Sequence, residues 1–198
     1  MGKSKRIVEL LMQNIFEKES LINFSIVRFG NVLGSSGSVI SIFEDQIKNK
    51  SPIVITDPNV SRFFMTIEEA AELVIQAGSI KENDRIFFLD MGKEIKILDL
   101  AKKLIRLKGL NFYYENISKE KIKKNSILIK FSSLGKGEKI SEILYEKPIY
   151  KKTIHESIYV LSDNLSITNK ILLDEIYNEV DTFKIIHLDK LNKAINTE

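Results

Sequence analysis

The hydrophobic residues of this chain form short apolar runs that alternate with longer segments of helical spacing. The run Phe24–Phe29 is interrupted only by Ser25 and Arg28, and its length and side chains predict a strand buried on both faces. The following segment, Val39–Lys48, repeats apolar residues three and four positions apart, which predicts an amphipathic helix. A strand followed by a tight turn and a helix indicates an α/β fold.

The rest of the pattern extends this alternation. Helical spacing predicts further helices at residues 4–17, 66–78 and 98–107. Short apolar runs predict strands at residues 52–55, 85–89 and 126–131. Thr66 and Glu69 form a capping-box pattern, while the charge run Lys119–Lys124 is typical of a solvated face. Past Glu138 we expect a helical turn at Ile143-Leu144, then two weaker periodic segments around residues 167–176 and 185–195.

The turn Gly34-Ser35-Ser36-Gly37-Ser38 joins the first strand to its helix. Unpaired backbone N–H groups at a helix N-terminus form an anion site, although a serine that only caps the helix is the simpler interpretation. Arg28 and Asn31 flank the turn, and a planar cation and an amide suit phosphate and sugar recognition better than core packing. We therefore predict a phosphate-binding turn.

Composition narrows the class of protein. The 198 residues are 43% hydrophobic and 29% charged, which is ordinary for one globular protein. The net charge of +3 is small and dispersed, so no nucleic-acid partner is expected. The absence of cysteine excludes disulfides and thiolate metal sites and fits a cytoplasmic protein. His155 and His187 lack metal-ligand spacing, and no apolar window approaches a membrane span, so we expect neither a metal nor a span.

Four segments together resemble the C-terminal half of the CapD-like polysaccharide-biosynthesis proteins, which belong to the extended short-chain dehydrogenase/reductase superfamily. These segments are Phe24–Val39, Ile55–Thr66, Phe88–Leu107 and Gly137-Glu138-Lys139. The resemblance implies a Rossmann-like α/β fold with its small substrate-binding lobe, and with the N-terminal dinucleotide-binding half missing. Residues 1–145 would form this partial domain, and residues 146–198 a C-terminal helical extension.

The resemblance also implies an activity, UDP-N-acetylglucosamine 4,6-dehydration in surface polysaccharide biosynthesis. Such enzymes use NAD as an internal hydride carrier: they oxidise carbon 4 of the sugar, eliminate water across carbons 5 and 6, and return the hydride to carbon 6. The glycine-rich dinucleotide fingerprint is absent from these residues, so we expect the isolated chain to be inactive. We also expect it to form homo-oligomers or to associate with an N-terminal half, because the strand Phe24–Phe29 would otherwise have an open edge.

Two alternatives stay open. One is a nucleotide-sugar epimerase of the same superfamily, which differs in acid/base residues that this sequence does not contain. The other is a non-catalytic, truncated remnant that binds UDP-sugar.

The resemblance assigns catalytic positions to the first five residues. Lys5 corresponds to the lysine of a Tyr-x-x-x-Lys motif, and Met1 takes the tyrosine position. A thioether cannot exchange protons, so acid/base catalysis would depend on an upstream Thr-Asp-Lys cluster that this sequence lacks. The alternative for Lys5 is an exposed lysine in the first turn of a helix.

The resemblance also assigns substrate-binding positions. Asn31 would contact the UDP-sugar, and Ser38 and Val39 would form the uridine-facing start of the next helix. Arg62 would clamp the diphosphate, and Glu138 would accept hydrogen bonds from the ribose hydroxyls. From the residues alone, Arg62 fits equally a surface arginine lying over aromatic rings.

One segment departs from the family pattern. The family has Leu-Arg-Pro-Gly-Glu-Lys where this chain has Leu134-Gly135-Lys136-Gly137-Glu138-Lys139. Lys136 supplies a positive charge to the diphosphate but not the bidentate fork of the missing arginine.

Overall fold

The computed structural model describes residues 5–12, 24–35, 37–80, 85–142 and 150–161. The chain divides into two units. Unit 1 comprises Met1–Arg28, Gln76–Phe88 and Pro148–Glu198, and unit 2 comprises Phe29–Ile75 and Leu89–Lys147. Each unit combines helical segments with parallel strand pairs, which confirms the predicted α/β class.

In chain order the elements are α1 (residues 5–12), β1 (Ser25–Arg28), β2 (Asn31–Val32), α2 (Val39–Lys48), β3 (Ile53–Ile55), β4 (Ser61–Arg62), β5 (Phe64–Met65), α3 (Ile67–Ser79), β6 (Arg85–Leu89), β7 (Ile95–Lys96), α4 (Ile97–Leu107), β8 (Asn111–Tyr114), a 3-10 turn (Lys119–Lys121), β9 (Ser126–Phe131), β10 (Tyr150–Lys152) and β11 (Ile158–Leu161). The prediction of α2 is confirmed at both ends, and those of β6 and β9 likewise. The periodic segments expected at residues 143–144, 167–176 and 185–195 lie outside the described residues.

Unit 1 is built on a sheet of strand order β1-β6-β11-β10. β1 pairs with β6 in parallel, and β10 pairs with β11 as an antiparallel hairpin. Phe87 on β6 and Ile158 on β11 are fully buried. The prediction that β1 is buried on both faces is wrong: Ser25 is exposed and the rest of the strand is half-buried. The physical reason is its place at the end of the described sheet, where β6 is its only described neighbour.

Unit 2 has its core between the parallel sheet β3-β9-β8 and the helices α2 and α4. Ile53 on β3, Ile105 on α4 and Ile129 on β9 are at most 1% exposed. In α4 the buried residues Ile97, Ala101 and Ile105 are four apart, so a single face of the helix covers the sheet.

Local signals fix the ends of the helices. The amide of Thr66 donates to Glu69 Oε2 over 2.8 Å, and the amide of Glu69 donates to Thr66 Oγ1 over 3.1 Å, so the predicted capping box is confirmed. The other end of α3 is Ser79, one residue beyond the predicted end. α4 ends two residues before Gly109, whose φ of 71° is the left-handed conformation that favours glycine after a helix.

Candidate functional site

Most of the predicted substrate-binding residues lie on unit 2. They are Asn31, Ser38, Val39, Arg62, Lys136 and Glu138. Unit 1 carries Lys5 and Arg28, and Met1 lies outside the described residues. Lys5 is exposed at the start of α1, as the interpretation of it as a first-turn lysine also expects.

The start of α2 is capped by its own serine. Ser38 Oγ accepts a hydrogen bond from the amide of Ser41 at 3.4 Å and lies 3.1 Å from Ser41 Oγ. Gly34 and Gly37 adopt φ of 74° and 70°, which lets the chain turn sharply into the helix. Val39 is half-buried and packs against the core of unit 2. The capping interpretation is therefore correct for Ser38, and phosphate binding at this turn stays a prediction.

Asn31 is held beside the strand that follows Arg62. Its backbone N–H donates to the carbonyl oxygen of Phe63 over 3.0 Å, and β2 pairs in parallel with β5. The two backbones approach closely because Gly30 has no side chain: a Cβ there would lie 3.1 Å from Phe63 Cβ. This packing places Asn31 against Phe63, the residue that follows Arg62.

Arg62 directs its guanidinium at main-chain carbonyls. Nη1 donates to the oxygens of Ser61 at 2.7 Å and Ile140 at 3.0 Å, and Nη2 donates to Lys139 at 2.9 Å. Nε lies 3.4 Å from a carboxylate oxygen of Glu142, and the side chain is only 13% exposed. Arg62 is thus a bridge between β4 and the residues that follow Glu138, and a contact with a diphosphate stays a prediction.

Glu138 is held by the turn that precedes it. Its Oε1 accepts from Thr56 Oγ1 at 2.9 Å, and its Oε2 accepts from the amide of Gly135 at 3.1 Å. The amide of Glu138 in turn donates to the Gly135 carbonyl over 3.0 Å. Gly137, with a φ of 87°, makes this turn possible, and Lys136 at its tip is exposed. The carboxylate is therefore exposed but fixed in direction.

Glu94 was not predicted from the sequence as a site residue. Its Oε2 accepts from Ser61 Oγ at 2.6 Å, and its Oε1 accepts from Ser141 Oγ. These two hydrogen bonds, together with the nearby positive charge of Arg62, hold the pKa of Glu94 below its usual range. Ser61 and Ser141 lie 33 and 47 residues from Glu94 in sequence, so no local motif predicts these hydrogen bonds.

Arg28 has a partner within unit 1. Its Nε and Nη2 each donate over 2.7 Å to one carboxylate oxygen of Glu9 on α1. Ligand binding by Arg28 would compete with this ion pair.

The residues of this chain do not fit a dinucleotide pyrophosphate site. The sequence contains no Gly-x-Gly-x-x-Gly, and its glycine-serine turn leads into a helix that Ser38 already caps. Within the part of the chain that the structure describes, no three histidine, aspartate or glutamate side chains are grouped to hold a metal ion. Among the described helices, none has the length and apolar character needed to cross a bilayer.

Comparison with solved structures shows the same fold. A protein named Pen from Bacillus thuringiensis superposes with a TM-score of 0.60 at 28% identity, over 89% of this chain and 55% of that one. A UDP-N-acetylglucosamine 4-epimerase from Methanobrevibacter ruminantium, solved with UDP-N-acetylmuramic acid, gives a TM-score of 0.51 at 19% identity. That match covers 70% of this chain and 44% of the other. Both likenesses cover part of a longer chain, as a partial short-chain dehydrogenase/reductase fold predicts.

Comparison of sequences gives the family. The capsular polysaccharide biosynthesis protein CapD of Staphylococcus aureus is 45% identical over 80% of this chain, and the probable polysaccharide biosynthesis protein EpsC of Bacillus subtilis is 42% identical over 81%. The chain spans a quarter of the length of these two relatives. Residues 1–163 match the family described as "Polysaccharide biosynthesis protein". The chain therefore belongs to the polysaccharide biosynthesis protein family, as a CapD-like member with a short-chain dehydrogenase/reductase fold.

Proposed function

We propose that this chain supplies the nucleotide-sugar-binding part of a UDP-N-acetylglucosamine 4,6-dehydratase that acts in surface polysaccharide biosynthesis. The observation that supports it most is the arrangement in unit 2 of an arginine and an oriented carboxylate. Arg62 binds the main chain at Lys139 and Ile140, directly after Glu138, whose carboxylate is fixed by Thr56. A cation beside an aligned hydrogen-bond acceptor suits a ligand that combines a diphosphate with ribose hydroxyls.

Each of the six predicted substrate-binding residues on unit 2 then has a role in this proposal. Glu138 accepts hydrogen bonds from the ribose hydroxyls, and Asn31 binds the sugar. The start of α2 at Val39 faces the uridine, with Ser38 holding the helix end in place. Arg62 contributes its charge to the diphosphate while its N–H groups hold the protein chain. Lys136, exposed beside Glu138, adds a second positive charge where the family has arginine one position earlier.

The proposal assigns catalysis and cofactor binding to residues other than these. Lys5, with Met1 at the tyrosine position, belongs to the catalytic helix in the proposed enzyme. NAD is its cofactor, bound by residues that this sequence does not include. We propose that residues 1–145 form part of the cytoplasmic catalytic domain and that residues 146–198 add an extension, whose described part is the hairpin β10–β11 in the sheet of unit 1. The partner is an N-terminal half or a second copy of the chain.

A nucleotide-sugar epimerase is the second candidate. Relatives named UDP-glucose 4-epimerase, from Rickettsia bellii, are 36% identical to this chain over 92 residues. The two reactions differ in their products: dehydration makes a 4-keto-6-deoxy sugar lighter by one water, whereas epimerisation leaves the mass unchanged.

The test separates binding from turnover. Calorimetry of the 198-residue chain with UDP, and with UMP as the matched control that lacks the second phosphate, measures recognition of the diphosphate. Mass spectrometry of UDP-N-acetylglucosamine after incubation with NAD detects the loss of water, and proton NMR of the same sample detects inversion at carbon 4. The incubations contain the chain alone, or the chain with the dinucleotide-binding portion of a CapD-like relative.

We expect UDP to bind more tightly than UMP, no product from the chain alone, and loss of water from the sugar in the mixture. A product of unchanged mass and inverted carbon 4 would favour the epimerase. Failure to bind UDP would overturn the proposed function.

A further inference from the structure

The segment Gly135–Glu142, which carries Glu138, is fixed to unit 2 by polar contacts at its far end. The amide of Ser61 donates to the carbonyl of Ile140 over 2.9 Å, and Arg62 binds the same carbonyl at 3.0 Å. Ser61 is buried, at 8% exposure, so this contact is partly shielded from water. The position of Glu138 therefore depends on the contact between β4 and Ile140.

Glu94 spans this contact from a third piece of chain. It immediately precedes β7, which pairs antiparallel with β4 so that Ser61 lies opposite Lys96 and Arg62 opposite Ile95; Glu94 is two residues before the partner of Ser61. One carboxylate oxygen accepts from Ser61 on β4, and the other accepts from Ser141 on the segment. A single side chain thus joins the two surfaces that the Ser61–Ile140 hydrogen bond also joins.

We infer that Glu94 is a positioning residue of the nucleotide-sugar site, which holds the segment Gly135–Glu142 in place and thereby fixes Glu138. The effect of Glu94 on ligand binding rests on the proposed function, whereas its contacts with the segment Gly135–Glu142 do not. Glu94 needs no contact with the ligand, because it acts through Ser61 and Ser141. An ionised carboxylate is required, since both serine hydroxyls donate and only the ionised form accepts equally at both oxygens.

The pH dependence has a defined sign. The hydroxyl hydrogen bonds and Arg62, the cation facing Glu94 from β4, lower the pKa of Glu94 in the folded chain. Glu142, on the segment, pairs with the same Arg62. A lowered folded pKa means that the contact is complete above the unfolded pKa of glutamate and is lost as pH falls through the lower, folded value.

The test measures directly how firmly the segment is held against β4. Amide exchange of Ser61, followed by NMR and normalised to the intrinsic rate at each pH, reports how often its hydrogen bond to Ile140 opens. We compare wild type with Glu94→Gln and with the milder Ser141→Ala. The matched control is Glu115→Gln, which removes a carboxylate paired at 2.8 Å with Lys130 elsewhere in unit 2.

We expect Glu94→Gln to lower the protection of Ser61 by about tenfold, the size of a partly exposed charge-assisted hydrogen bond, with a smaller loss for Ser141→Ala. Protection in wild type should fall with acid, while protection in Glu94→Gln should not. UDP affinity should fall with Ser61 protection in both variants, and Glu115→Gln should change neither.

Unchanged Ser61 protection in Glu94→Gln would overturn the inference, as would lost protection with unchanged UDP affinity. A wild-type chain that fails to bind UDP overturns the proposed function instead. The exchange comparison then decides on its own whether Glu94 holds the segment.

Discussion

Arg28 and Glu9 form a two-point ion pair in unit 1, with Nε and Nη2 of the arginine each 2.7 Å from a different carboxylate oxygen. The pair joins β1 to α1, and its side chains are only 26% and 15% exposed. A planar guanidinium that already matches a carboxylate at two points gains less from binding a phosphate. This geometry favours a structural role for Arg28.

The first prediction separates the two roles. Arg28→Lys keeps the positive charge but cannot bind both carboxylate oxygens of Glu9 at once. We therefore expect the free energy of unfolding in urea to fall by about 1–2 kcal/mol. UDP affinity of the folded variant should be unchanged. Arg6→Lys is the matched control, because Arg6 makes one contact with the same glutamate at 3.2 Å. Loss of UDP affinity with unchanged stability would make Arg28 a ligand, as the sequence predicted.

The second prediction concerns the start of α2. Ser38→Ala removes the cap and should lower the free energy of unfolding by about 1 kcal/mol. Ser38→Asp keeps a capping oxygen and should preserve stability, but its charge should repel a diphosphate and weaken UDP binding. Calorimetry and urea unfolding on both variants check this. Equal UDP affinity in wild type and Ser38→Asp would place the phosphates elsewhere.

The third prediction concerns Arg62. Arg62→Ala should weaken UDP binding by about 1–3 kcal/mol, because it removes both the charge and the hydrogen bonds to the segment that carries Glu138. Arg62→Lys should recover part of the loss through charge alone. The control is Arg106→Ala, since Arg106 lies 5.5 Å over the ring of Phe112 on another surface of unit 2. A folded Arg62→Ala variant with unchanged UDP affinity would remove Arg62 from the site.

The fourth prediction compares two glycines. Gly30→Ala would place a Cβ 3.1 Å from Phe63 Cβ and 3.3 Å from Met91 Cε, so we expect a loss of about 1 kcal/mol in stability. Gly78→Ala lies in α3 with nothing within 4 Å of its Cβ, and should gain about 0.5–1 kcal/mol. Thermal melts of the two variants should therefore move in opposite directions. A stable Gly30→Ala variant would show that β2 and β5 can move apart.

Local signals explain which elements the sequence predicted. The capping box at Thr66 and the amphipathic spacing of residues 39–48 depend on neighbours within four residues, and the structure confirms both. The two-residue strands β2, β4, β5 and β7 carry no such signal, because each exists only through pairing with another part of the chain. The hairpin β10–β11 was not predicted for a related reason: two of the three residues of β10 are lysines, and its partner strand is only four residues long.

The candidate site was predictable residue by residue but not in its connections. The sequence singled out Arg62 and Glu138 as separate ligands, whereas the structure links them through the main chain of Lys139 and Ile140. Glu94 has no motif of its own, and its contacts arise only when β7 pairs with β4. Every residue has a main-chain carbonyl, so the amino-acid sequence does not indicate which of them accepts a hydrogen bond.

The discontinuity of unit 1 has a consequence for how the chain folds. Its strand β6 takes one neighbour from residues 25–28 and another from residues 158–161, and these segments are separated by both stretches of unit 2. Closing such long loops is slow, because chain entropy is lost before the contacts form. On the ribosome, the residues of unit 2 are complete at Lys147, before β11 has been made. Until then β6 lacks its second neighbour, and an unpaired strand edge of this kind leaves a nascent chain prone to aggregate.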